Sequence, residues 1–135
     1  MKYFYSEELK TLFVTYTGLL SDIEIAEHVR SMKEDACVSL VDKIIVDLRA
    51  ADSSSRSTSA ITQLARDASL DGKIDTEKVR VAIVASNDLA FGNARMYQTY
   101  AGGDDNYHVF RDMNDAADWI GIPLDEIERM RSCAK

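Results

Sequence analysis

The sequence predicts an α/β fold built on a mixed β-sheet. Short apolar segments at 43–49, 79–85 and 107–111 alternate with segments of helical spacing, the pattern of parallel strands joined by helices. The segment 79–85 is apolar at nearly every position, which is typical of a strand covered by helices on both faces. Two strands before the first helix indicate an antiparallel hairpin. The predicted order is ββαβαβαβα, with about five strands and four to five helices.

The first half of the chain supplies the hairpin and the first helix. Residues 2–6 and 9–17 are rich in Tyr, Phe, Val and Thr, and two glutamates separate them. Ser21 and Glu24 then form a capping-box pattern, in which a hydroxyl and a carboxylate bond the free N–H groups of a helix start. We expect this helix to end near residue 35.

The middle of the chain contains a strand, a polar loop and a second helix. After the strand at 43–49, the serine-rich segment 50–59 is predicted to be a loop. Apolar residues at helical spacing then continue to about residue 70, and 71–77 is a polar connector.

The last third contains three helix signals. One of the polar residues at 86–88 is expected to cap the helix after strand 79–85, and the two glycines at 102–103 end it. Asp112 or Asn114 caps a short helix, followed by one or two final turns at 124–131.

Composition limits the class of protein. At 135 residues and 46% hydrophobic content, the chain is predicted to form one domain over 1–135. A net charge of −7 argues against a nucleic-acid partner, which needs clustered basic side chains. The first residues lack the pattern of a signal peptide, and no apolar run approaches the roughly 20 residues of a membrane span. We therefore expect a cytoplasmic protein that does not insert into membranes.

Several stretches together carry a family pattern. They are IVDLR at 45–49, VAIVA at 81–85, DLAFG at 88–92, ARMY at 94–97, VFRD at 109–112, and the residues at 116–117 and 119–120. These stretches resemble the STAS domain superfamily, and more closely the bacterial SpoIIAA-like proteins, over nearly the whole chain. The resemblance implies a small, cytoplasmic, non-enzymatic domain that binds partners or ligands.

The resemblance also implies a candidate phosphorylation site. In the anti-sigma-factor antagonists of this superfamily, an Asp-Ser-x-Gly segment follows a strand, and phosphorylation of its serine switches off partner binding. Asp52 and Ser53 match the first two positions, whereas Ser55 stands where that pattern has glycine. The resemblance thus implies Ser53 as the candidate. The alternative is that the serine cluster is an exposed loop without a role.

A second candidate site follows from the sheet itself. Ligands of α/β sheets bind beyond the carboxyl ends of the parallel strands, where helix N-termini favour negative charge. The predicted binding rim for a partner or an anion consists of Arg49, Asp52, Ser53, Asn87, Asp88 and Arg111. The alternative is that these residues only cap helices and form ion pairs.

A third candidate site is apolar. Phe91, Tyr97 and Tyr100 are predicted to line a ligand pocket between a helix and the sheet. The alternative is an ordinary core stripe. These sites lead to two functional hypotheses: a non-enzymatic regulatory module that binds a protein partner, switched by serine phosphorylation, or a carrier or sensor of a small apolar, lipid-like or anionic ligand.

Catalysis, metal binding and cofactors are not expected. The chain contains Ser, His and Asp, but no strand–turn–helix nucleophile motif joins them. His28 lies four residues after Glu24 without a third metal ligand at a recognisable spacing. The expectation is a protein without a cofactor. A homodimer through a sheet edge or a helix face remains an open alternative.

Overall fold

The computed structural model describes residues 1–35, 40–70, 78–101 and 106–135. These ranges contain five strands and five helices, which confirms the predicted α/β class. The elements are β1 (Lys2–Ser6), β2 (Thr11–Leu19), α1 (Asp22–Glu34), β3 (Lys43–Asp52), α2 (Thr58–Leu70), β4 (Arg80–Val84), α3 (Asp88–Ala101), β5 (Tyr107–Phe110), α4 (Met113–Ile120) and α5 (Leu124–Cys133).

The strands form one sheet in which spatial order equals chain order, β1-β2-β3-β4-β5. β1 and β2 pair antiparallel, with Phe4 opposite Phe13, and the remaining neighbours pair parallel. The predicted mixed sheet that opens with a hairpin is therefore confirmed. The register of β2 with β3 shifts between Thr15 and Thr17, at an irregularity near the carboxyl end of the sheet.

The sheet separates two apolar clusters, because successive strand residues point to opposite faces. Ile44 and Ile83 belong to the cluster shared with α1, α2 and α3. Ile45 and Val84 belong to the cluster shared with α4 and α5. The three crossover helices therefore cover one face and the two final helices the other.

Side-chain caps stabilise the N-termini of three of the predicted helices, α1, α3 and α4. Ser21, Asn87 and Asp112 each accept a hydrogen bond from the backbone N–H three residues ahead, at 3.2, 2.8 and 2.9 Å. Gly121 ends α4 at φ 76°, in the left-handed region that favours glycine. These contacts satisfy N–H groups that the first turn of a helix leaves free.

Two elements are longer than predicted. β3 continues to Asp52, where a loop was expected from residue 50, because β2 still pairs with it after the irregularity. α5 has 10 residues and buries Ile127 and Met130, so packing extends it beyond one or two turns. The predicted connector at 71–77 and the glycines at 102–103 lie outside the described residues. Every described helix is too short or too polar to cross a lipid bilayer.

Candidate ligand-binding site

A cavity of about 170 Å³ lies between the sheet and helices α1, α2 and α3. Its wall is mostly aliphatic and aromatic. The strands contribute Val14, Ile44, Val46 and Ile83, and the helices contribute Ile25, Ile61, Ala94 and Tyr97. A mostly apolar cavity of this size can admit apolar molecules of matching size. It can therefore bind a ligand by burial alone.

The inner face of α3 explains why space remains beside the sheet. Ala90, Asn93, Ala94 and Tyr97 line the cavity and follow the i, i+3, i+4, i+7 spacing of one helix face. Ala90 and Ala94 are 0% and 5% exposed, so small side chains stand where larger ones would fill the volume. The cavity thus results from alanines at positions that face the sheet.

Asn93 is the polar position in this stripe. It lies on the cavity wall, and its Nδ2 atom is buried without a hydrogen-bond acceptor among the described residues. A buried N–H that lacks an acceptor is costly, because the group has lost its bonds to water. The side chain is therefore a donor that a bound molecule can satisfy.

Arg56 and Asp22 join the beginnings of two helices beside the cavity. Nε of Arg56 donates to Oδ1 of Asp22 at 2.7 Å, and the backbone N–H of Ser57 donates to Oδ2 at 3.1 Å. Burial raises the pKa of the Asp22 carboxyl, but the hydrogen bonds from Arg56 and Ser57 outweigh it, so the pKa lies below its ordinary value. Asp22 therefore stays ionised and holds Arg56 at the cavity wall.

Tyr16 is a further wall residue with a perturbed proton affinity. Burial raises the pKa of its phenol to about 12, although the positive charge of Arg56 acts in the opposite direction. The phenol is therefore neutral at physiological pH and contributes no negative charge to the cavity.

Arg111 and Asp88 form the part of the predicted rim at the ends of β4 and β5. Nη1 of Arg111 lies 2.7 Å from Oδ1 of Asp88 and 3.4 Å from the carbonyl oxygen of Ser86. The guanidinium carbon lies 4.3 Å from the ring centroid of Phe91. The side chains of Arg111 and Asp88 are 51% and 94% exposed, so this group forms a solvated surface pair.

Arg49 belongs to a different contact group. Its Nε and Nη2 donate to the two carboxylate oxygens of Asp47, both at 2.9 Å, and Glu128 of α5 lies 4.0 Å away. Asp47 is 4% exposed. Arg49 therefore compensates a buried carboxylate toward the face that α5 covers.

Asp52, Ser53 and Asn87 also have local roles. Asp52 accepts a bond of 3.0 Å from the backbone N–H of Ser54. Ser53 is 6% exposed and lines the cavity, and Asn87 caps α3. The predicted rim residues thus make separate groups of contacts, because adjacent strand positions face opposite sides of the sheet. Phosphorylation of Ser53 stays a prediction, and it would require this segment to open.

The structure brings one of the three predicted pocket residues to the cavity. Tyr97 lines the cavity, whereas Phe91 packs under Arg111 and Tyr100 is 45% exposed with Arg66 over its ring. Helical rotation explains Phe91, which is one residue, or about 100°, away from the inward-facing Ala90. Tyr100 follows Tyr97 by three residues and lies at the exposed edge of the same face. The predicted pocket did not include Asn93, although a polar residue among alanines on one helix face could have indicated a polar contact there.

Comparisons with known proteins identify the fold. No family model and no curated protein matches the sequence. A similar solved structure, at 2.25 Å, is an uncharacterised protein of the DUF3478 family with a SpoIIAA-like fold, from Shewanella loihica PV-4. Its sequence is 18% identical to that of this chain. The match covers 87% of this chain and 89% of that chain, with a TM-score of 0.52. The chain therefore has the SpoIIAA-like fold that the sequence resemblance predicted.

Proposed function

We propose that this protein is a non-enzymatic binding module that carries or senses a small, largely apolar molecule. The observation that carries the proposal is the cavity of about 170 Å³ between the sheet and α1–α3, with its mostly apolar wall. Burial of apolar surface is the main favourable term for such a ligand, at about 25 cal/mol per Å². The function therefore needs space and shape rather than a reacting group.

The polar groups beside the cavity support binding rather than catalysis. Asp22 is ionised but bonded to Arg56 and Ser57, and burial raises the pKa of Tyr16 to about 12, so its phenol is neutral at physiological pH. A general base must titrate near the working pH and must reach its substrate. His108 packs against Trp119, with ring centroids 4.5 Å apart, and is not part of the cavity wall.

The test is an NMR titration of the isotope-labelled chain with octan-1-ol. We expect saturable shifts at the methyl groups of Ile61 and Ile83 on the cavity wall. The methyl groups of Ile120 and Ile127, in the cluster on the opposite face, are expected to stay unchanged. Shifts that never saturate, or that occur equally on both faces, would contradict the proposal.

Matched variants sharpen the test. Ala94→Leu places a larger side chain in the cavity and is expected to abolish the saturable shifts. Ala50→Leu makes the same change at an exposed position of β3 outside the cavity wall and is expected to preserve them. If both variants bind octan-1-ol like the wild type, the ligand does not occupy this cavity.

A further inference from the structure

The charges on the cavity wall differ in sign from the chain as a whole. The chain has 23 acidic and 16 basic residues, for a net charge of −7. Yet Lys33 and Arg56 line the cavity, and no aspartate or glutamate of the described ranges does. Asp22 reaches Arg56 from outside this wall and bonds its Nε atom. Among the described residues, the charged side chains of the wall are therefore basic, although the protein as a whole is acidic.

The uncharged polar groups of the wall also favour an acceptor on the ligand. Asn93 contributes a buried Nδ2 without a described acceptor, and Ser53 contributes a hydroxyl from a residue that is 6% exposed. Both residues lie near the carboxyl edge of the sheet: Ser53 directly follows β3, and Asn93 is in the second turn of α3. Arg56 follows Ser53 by three residues, and its backbone N–H bonds the Ser53 carbonyl oxygen at 3.1 Å. Donors from two segments therefore meet the cavity near the same edge.

The cavity volume limits the apolar part of the ligand. An apolar protein cavity of about 150 Å³ admits benzene, a molecule of six carbon atoms. The cavity of about 170 Å³ is only slightly larger. It accommodates a short alkyl chain or one aromatic ring.

We propose that the ligand is a carboxylic acid whose apolar part has about six to eight carbon atoms. Its carboxylate accepts hydrogen bonds from Nδ2 of Asn93 and the hydroxyl of Ser53 and faces the guanidinium of Arg56. Its apolar part lies against Ile83 and Ala94. This inference rests on the proposed function and adds the chemical class of the ligand.

The test compares octanoate with octan-1-ol, which have the same chain length but differ in the polar end. Affinities are measured for the wild-type chain by isothermal titration calorimetry at neutral pH. We expect octanoate to bind at least about tenfold more tightly, because hydrogen bonds to an ionised acceptor are stronger than those to a neutral one. Equal affinities, or a preference for the alcohol, would overturn the carboxylate assignment and leave the proposed function standing. If neither compound binds, both proposals fail.

Asn93→Asp tests the assigned donor, since it replaces the amide with a carboxylate of nearly the same shape. We expect this variant to lose the preference for octanoate and to keep its affinity for octan-1-ol. Asn114→Asp makes the same change at an exposed position of α4 and serves as the control that retains the preference. An unchanged preference in Asn93→Asp would overturn the role of this residue.

A measurement on the wild type keeps the proposal testable if Asn93→Asp does not fold. The side-chain amide protons of Asn93 are expected to shift downfield on addition of octanoate and to move less with octan-1-ol. Identical responses to both compounds would overturn the assignment of Asn93 as the carboxylate donor.

Discussion

Nε of Arg56 and Oδ1 of Asp22 lie 2.7 Å apart and connect two segments separated by 34 residues. Asp22 is the first residue of α1, and Arg56 immediately precedes Ser57, whose hydroxyl accepts a hydrogen bond from the first turn of α2. The Arg56 side chain is only 11% exposed, so the contact is largely shielded from solvent. This ion pair ties two of the helices that cover the cavity.

Replacement of Asp22 by Asn should destabilise the fold. The change removes the charge that attracts Arg56 and weakens the bond from Ser57. We expect a loss of about 1 kcal/mol in the free energy of unfolding, because the Asp22 side chain is 27% exposed and water weakens the pair. Chemical denaturation measures it. Glu27→Gln, an exposed position of α1, is the control, and an equal loss there would show that the contact has no particular role.

The contribution of Asp22 should depend on pH. Its pKa in the folded chain lies below the ordinary value of 3.8, so the folded chain binds this proton less readily than the unfolded chain. The stabilisation is complete above the unfolded pKa and is lost as the pH falls through the folded one. The difference in stability between the wild type and Asp22→Asn should therefore shrink below about pH 4. A difference that stays constant down to pH 2 would contradict the assignment.

Tyr16 should control part of the response to alkali. Its pKa of about 12 exceeds the ordinary value of 10.0, so the folded chain favours the neutral phenol. This stabilisation is present below pH 10 and is lost as the pH rises toward 12. Stability is measured for each protein at neutral pH and between about pH 10 and 12. Because Tyr16→Phe cannot ionise at this position, its free energy of unfolding should fall less over this interval than that of the wild type. When tyrosine ionisation is followed by absorbance, the variant should show one fewer tyrosine that ionises with a raised pKa.

Arg49 should be needed for stability because of Asp47. Arg49→Met removes two hydrogen bonds of 2.9 Å from a carboxylate that is 4% exposed. The expected loss is about 2 kcal/mol, since a buried charge is left without its partner and Arg49 itself is partly exposed. Thermal or chemical unfolding measures it.

Two further variants test the cause of that loss. Arg129→Met makes the same change at a side chain that is 71% exposed and should cost less than about 0.5 kcal/mol. The double variant Asp47→Asn with Arg49→Met should recover part of the stability, because a neutral amide is cheaper to bury than a carboxylate. If the double variant is no more stable than Arg49→Met, the loss of stability in Arg49→Met results from lost packing and not from an uncompensated charge on Asp47.

Most helices and strands could be predicted from the sequence, because the residues that indicate each one lie within or beside that segment. Ser21 and Asp112 cap the helices that their positions predict, and short apolar runs bounded by polar residues indicated the central strands. The end of β3 was missed because its last residues, Ala50–Asp52 in the register, are held by pairing with β2 across an irregularity. Such pairing depends on residues some 30 positions away in the chain.

The candidate site was only partly predictable for the same reason. Tyr97 was found through its place on an apolar helix face, which is a local pattern. The pairing of Arg56 with Asp22 and the isolation of the Asn93 amide depend on three segments brought together by the sheet. The contact of Arg49 with Asp47 could not be predicted, because composition near a strand end does not reveal which face each side chain occupies.

The strand order has a consequence for where a ligand can enter. In folds that bind nucleotides at the edge of a parallel sheet, two neighbouring crossovers leave toward opposite faces and open a crevice between them. Here the helices α1, α2 and α3 all cover the same face, so neighbouring crossovers never diverge. The described sheet therefore has no crevice of that kind beside the cavity, and we expect the packing of α1, α2 and α3 against the sheet to limit how quickly a molecule enters and leaves.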